Sequence, residues 1–122
     1  MSNKVIVIKS DGTHTSAMDQ AQTEKYLGNL LNSDRQSNLK QSLNDVYSNK
    51  GKATGSYKFA GFPVLHASSG VLGVKSVSLF FYDNGGDHYI MAMGEHTGAS
   101  TYKLTDYGQA DGDFKFKATI SI

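Results

Sequence analysis

The sequence predicts an α+β fold: a two-helix hairpin laid on one face of a twisted antiparallel sheet, in the order β-α-α-β-β-β-β-β, as one domain over residues 1–122. Three observations carry that expectation. A short β-branched run opens the chain. Two segments of helical period follow it. From Gly51 onward the apolar period drops to two and stays there. Two amphipathic helices need an apolar surface, and an antiparallel sheet offers one face for it, leaving the other free to bind.

The opening run, Val5-Ile6-Val7-Ile8, reads as a strand buried on both faces. Ser10-Asp11-Gly12 ends it, and Thr15 and Ser16 are the expected caps of a first helix over 17–32. Ala17, Ala21, Leu27 and Leu31 share one side of that helix. Gly28 weakens it by about 1 kcal/mol relative to Ala, so packing has to hold it. Ser33-Asp34-Arg35-Gln36 has capping-box spacing for a second helix. Leu39, Leu43, Val46 and Tyr47 then form one stripe, and Asn49 and Gly51 stop it. The short link between the helices implies an antiparallel pair.

Tyr57 and Phe59 alternate with Ser56 and Lys58, as in a strand that Gly61 and Pro63 interrupt at an edge, bulge or bend. Val64 to Ala67 resumes the pairing before a turn at Ser68-Ser69-Gly70. The strongest local signal is a meander. Val77 to Tyr82 meets the turn Asp83-Asn84-Gly85-Gly86, His88 to Met93 follows, and Thr101 to Thr105 makes the third strand after Gly98-Ala99-Ser100. Asp111-Gly112-Asp113 is a turn, and Phe114 to Ile122 alternates with Lys115 and Lys117 on its wet face.

Composition narrows the function classes. With no cysteine, disulfides and thiolate metal sites are excluded. No histidine pair has helical i,i+4 spacing, so no metal site and no cofactor are expected. No apolar stretch is long enough to span a membrane, and the four apolar residues after Met1-Ser2-Asn3-Lys4 are too few for a signal-peptide core; a cytoplasmic location is the expectation. The net charge of +1 gives no global field, so a nucleic-acid partner would need a local patch.

The candidate chemistry gathers at one rim of the meander. Alternation sets His88, Ile90, Ala92, Gly94 and His96 on one face, with Tyr89, Met91, Met93 and Glu95 packing toward the helices. His96 follows Gly94, whose missing side chain lets a substrate backbone come close. Histidine titrates near working pH and suits either proton role in metal-free RNA cleavage. His66, beside Pro63, is the candidate partner for His96, and Lys75 the candidate phosphate anchor. Glu95, one of two glutamates, is a candidate base only if a bulge turns it toward His96. Tyr102 and Tyr107 are candidate base-stacking rings, and Lys103 a backbone contact. Each has a plainer reading: His96 as a solvated turn residue, His66 as an edge-strand residue, Glu95 as a surface carboxylate, the tyrosines as core residues with wet hydroxyls. His14 and His88 read as exposed loop residues.

Gly73-Val74-Lys75-Ser76-Val77-Ser78-Leu79-Phe80-Phe81-Tyr82 resembles the central strand of the RelE/ParE family of bacterial toxins, within the wider barnase, colicin and RelE group of small endoribonuclease folds. Ile90-Met91-Ala92-Met93-Gly94-Glu95-His96 is similar to the next strand of that family, and Tyr102 stands where a tyrosine is usual. The strand–helix–helix–strands layout over residues 5–107 agrees. Arg35 as sole arginine departs from the family's arginine-rich phosphate grip. The resemblance implies a metal-independent endoribonuclease toxin that cleaves RNA, including ribosome-bound mRNA, by 2′-OH attack. It also implies a cognate antitoxin or immunity protein as partner. The rival readings are a non-catalytic protein-binding module of immunity or antitoxin type and an oligomeric accessory protein.

Overall fold

The computed structural model describes residues 3–9, 13–31, 33–59, 61–71, 74–97, 101–107 and 119–121, with only the backbone described at 55–56, 71, 74–75, 105–107 and 119–121. Along the chain run β1 (Val5–Val7), α1 (Gln20–Gly28), a 3₁₀ turn (Ser33–Arg35), α2 (Gln36–Tyr47), β2 (Lys52–Phe59), β3 (Phe62–Val71), β4 (Val74–Asn84), β5 (Asp87–His96), β6 (Thr101–Tyr107) and β7 (Thr119–Ser121). The expected α+β class is what these elements form. The seven strands make one sheet in the order β2-β3-β4-β5-β6-β7, with β1 also on β5.

β1 lies parallel to β5, so the sheet is mixed rather than wholly antiparallel. β5 divides its far edge between two strands. Val5–Val7 take the stretch His88 to Ile90, and β6 takes Ala92 to His96. The other edge of β1 is covered by the chain at 13–18, through the Ile8–His14 and Val5–Met18 bridges. That placement explains why the first helix starts later than its sequence suggests. Thr15 is drawn onto β1, where its hydroxyl accepts the Val7 N–H at 3.0 Å. Asp19 becomes the cap instead, in a capping box with Gln22: its carboxylate accepts the Gln22 N–H at 2.8 Å, and the Gln22 side chain accepts the Asp19 N–H at 3.0 Å. Ala17 and Ala21 are exposed as a result, and Met18, Thr23 and Leu27 turn inward.

The second helix loses its expected capping box for a similar reason. Gln36 donates to the Gly28 carbonyl at 2.9 Å and so ties the two helices together, while Arg35 occupies the cap position without a side-chain cap bond. The stripe of α2 is as expected. Leu39, Leu43 and Val46 are fully buried against β3 and β4, at about 1.5–3 kcal/mol each. Asn49 in the left-handed region, φ 58°, stops the helix.

β2 and β3 are a hairpin rather than one interrupted strand, because Gly61 at φ +82° turns the chain back between Phe59 and Phe62. Pro63 pairs with Lys58 next to a bulge in which four residues of β2 oppose one of β3. Ser68-Ser69-Gly70 is not a turn. It continues β3, with Ser68 paired to Ser78 and Ser69 to Val77. The Asp83–Gly86 hairpin, with Gly85 and Gly86 at positive φ, and the β4-β5-β6 meander match expectation. The Asp111–Asp113 turn and most of Phe114–Ile122 lie outside the described residues; Thr119–Ser121 pair with β6.

The sheet face opposite the helices is not open throughout. Large side chains from five strands meet there, and Phe59, Val64, Phe80, Met91 and Tyr102 form a second core cluster. Phe62, Tyr82 and Tyr89 stack in a row with centroids 4.9 Å apart at each step. Phe80 and Met91 are fully buried within that cluster. A cleft stays accessible at the rim, lined by residues of β2, β3, β5 and β6 and, from the helix side, by Asp45 of α2.

Candidate active site

The path of β5 decides which side chains reach that rim. Phe81 pairs with Ile90 but Phe80 pairs with Ala92, so Met91 is an extra residue on β5. The alternation expected from sequence therefore breaks at this point. Ile90 joins the helix-side core with Met93, whereas Met91 and Ala92 both join the opposite cluster. His88 and His96 end on opposite faces, although their positions differ by an even number, which in a regular strand would put them on the same face.

His96 is half-buried at the end of β5. Its ring lies flat on Tyr102, with centroids 4.2 Å apart and planes 12° apart. Its Nε2 is buried and has no hydrogen-bond partner among the described residues. His66 comes from β3, packs edge-on to Tyr102 at 5.6 Å, and stacks on Phe80 at 6.2 Å. The Tyr102 hydroxyl stands 3.5 Å from His66 Nδ1. Burial holds the His66 imidazole below its ordinary value of 6.5, with His96 and Lys52 adding repulsion against its charged form. Burial raises the Tyr102 phenol, so its O–H stays available as a donor.

Beside these rings lies a cleft of about 300 Å³, bordered by His66, Ser68, His96 and Tyr102 and by Asp45, Lys50 and Lys52. The Lys52–His66 register brings the lysine beside the imidazole. Two lysines and one aspartate thus line the same cleft as the two histidines.

Three of the residues singled out from sequence, His66, His96 and Tyr102, are brought together; Glu95 and Lys103 are not, and the side chains of Lys75 and Tyr107 are not among those described. Glu95 faces the helix side, where it pairs with Arg35 at 3.1 Å, because alternation from Met93 to His96 carries it away from the rim. Tyr102 is 3 % exposed, with His96, His66 and Phe80 already against its ring, so no face is left for a base to stack on. Lys103 is exposed opposite Glu95 and does not line the cleft. Lys75 lies near the start of β4, beside the register shift between Ser69 and Val71, and Tyr107 pairs with Ala92 at the end of β6; only their backbones are described. Gly94 also has a different use from the one expected. A Cβ there would run into the Lys103 carbonyl, so it is β6, rather than a substrate, that approaches closely.

Lys50, Lys52 and Asp45 were not legible as site residues. They sit around a helix stop with no motif to mark them; the pairing of β2 with β3 carries Lys52 to His66, and the packing of α2 on β3 brings Asp45. His88 also departs from its reading as an exposed loop residue. It is 3 % exposed, with Nδ1 2.6 Å from an Asp83 carboxylate oxygen and Nε2 2.7 Å from the Asn3 side-chain oxygen. Tyr47 and Phe81 press on its ring edge-on. His14 is exposed, as expected.

The chain matches no family model, no curated protein and no solved structure. Fold and cleft define it as a small α+β protein with paired imidazoles and lysines at a sheet rim.

Proposed function

We propose that the chain is a metal-independent endoribonuclease of toxin type, working at the cleft of His66 and His96. The observation that carries this reading is the meeting of two imidazoles from separate strands beside two lysines. His66, kept neutral by burial, takes the proton from the ribose 2′-OH. The 2′-oxygen attacks phosphorus and the bond to the 5′-oxygen breaks. His96 protonates that leaving oxygen, giving a 2′,3′-cyclic phosphate and a 5′-hydroxyl. Lys50 and Lys52 steady the negative charge of the phosphorane. They take the role that sequence reading gave to Lys75. RNA in the cytoplasm is the substrate in this reading, and an inhibitor protein covering the cleft is the partner that the resemblance to RelE-like toxins adds.

The test is purified protein incubated with RNA in chelator, with and without ribosomes, and the products analysed for cyclic phosphate ends. Cleavage that His66→Ala and His96→Ala each abolish is the expected result. Intact RNA under both conditions overturns the reading. It would then favour the rival, a non-catalytic binding module, which the net charge of +1 suits better than a free ribonuclease.

A further inference from the structure

We infer that Arg35 and Ser76 are positioning residues that hold the His96 imidazole flat against Tyr102 at the mouth of the cleft. The inference rests on the reading of His96 as a proton-transfer group, but the geometry behind it is independent of that chemistry. The β4–β5 ladder ends at the pair Ser78–Gly94. Continued by two residues, it would set Ser76 opposite His96. Instead, Arg35 enters the gap from the 3₁₀ turn that precedes α2. Its Nη1 donates to the Ser76 carbonyl at 3.0 Å, and its Nη2 donates to the Glu95 carboxylate at 3.1 Å. The ladder acceptor is thereby occupied by a guanidinium. The His96 N–H finds the Ser76 hydroxyl in its place, at 2.9 Å, and Ser76 is 1 % exposed.

The consequence is that the His96 main chain is held on its β4 side by a side-chain hydroxyl, while on its other side it stays paired with Tyr102 of β6. The guanidinium presents its donors on two nitrogens in a fixed planar fork, and here that fork reaches a carbonyl and a carboxylate of neighbouring strands at once. Lysine has three donors but gathers them on one nitrogen, without that fixed geometry. The chain's one arginine is therefore placed behind the catalytic strand end rather than on a phosphate. The cost of losing it would appear in orientation: a misplacement of about 1 Å in a proton-transfer group costs on the order of 100-fold in rate.

The test uses the full chain and two readouts. Stacking on Tyr102 moves the His96 ring proton resonances upfield, which NMR detects whether or not the protein cleaves RNA. In folded Arg35→Lys and Ser76→Ala variants the expected result is a loss of that upfield shift, with kcat on RNA down about 100-fold and KM nearly unchanged. Ser76→Thr, which keeps the hydroxyl, restores both. If the variants fold and the His96 ring shift stays where it was, the positioning role is overturned. If the ring moves but the wild type cuts no RNA, the positioning stands and the nuclease reading falls.

Discussion

His88 and His96 lie on the same strand and have opposite fates. His88 is enclosed by Tyr47 and Phe81, and both its ring nitrogens are held, one by Asp83 and one by Asn3. His96 lies at the rim with its Nε2 unpartnered among the described residues. The extra residue at Met91 is what separates them. Without it the two imidazoles would share a face, and one strand could not serve both a core and a cleft. The comparison teaches that one bulge can send two histidines of one strand to opposite sides of the sheet, one clamped through both ring nitrogens and one left with a buried Nε2 unpartnered among the described residues. His88 fastens the start of the chain to the β4–β5 hairpin, aided by the His88 N–H to Lys4 carbonyl bond at 2.8 Å. His96 fastens nothing through its ring edge.

That contrast can be broken most sharply by activity. His96→Ala is expected to lower RNA cleavage by about 10²- to 10⁴-fold, the usual contribution of a general acid or base, whereas His88→Ala retains cleavage below its melting temperature. Initial rates on a labelled oligonucleotide check both. The stability ranking should invert. His88→Ala leaves a cavity between two aromatic rings and strips Asp83 and Asn3 of their partner, so it should cost about 3 kcal/mol in urea unfolding. His96→Ala should cost well under half of that.

A smaller effect is expected at the glycine that brings the two strands of the rim together. Gly94→Ala sets a methyl against the Lys103 carbonyl and the Leu104 backbone, and backbone cannot swing aside as a side chain can. It should lose about 2 kcal/mol and part the His96 and Tyr102 rings, seen as a weaker ring-current shift.

The smallest effect concerns pH. His66 has its folded pKa below 6.5, so between the two values the unfolded chain binds more protons. Its contribution to stability is therefore complete above about pH 6.5 and declines as pH falls below it. His66→Gln should flatten the acid side of the curve of unfolding free energy against pH. Under the proposed mechanism the same titration is expected to set the acid limb of kcat/KM, below pH 6.5.

Much of this fold was legible in the chain itself. The α2 stripe of Leu39, Leu43 and Val46, the Asp83–Gly86 hairpin and the meander through Tyr107 all follow from periodicity and turn chemistry, which act over a few residues. The pairing of His66 with His96 was expected from sequence, but nothing local fixed it, because His66 lies on β3, outside the β4-β5-β6 meander, and strand pairing had to bring it to the rim. The errors came where a distant segment outbid a local preference. Thr15 has the chemistry of a cap, yet β1 takes its hydroxyl. Gln36 has the spacing of a capping box, yet Gly28 takes its side chain. Glu95 and Tyr102 have the chemistry of a site, yet Arg35 pairs with the first and neighbouring rings cover the second.

By itself, then, the sequence determined the broad order of elements, the buried face of α2 and the strands that carry imidazoles, because those depend on side-chain spacing and on turns. The tertiary structure alone decided which imidazole faces the cleft, which lysines stand beside it and where the single arginine goes. Strand register and bulges made that decision. Inserting one residue into a pleated strand reverses every later side chain, and nothing in the local text around Met91 records that insertion.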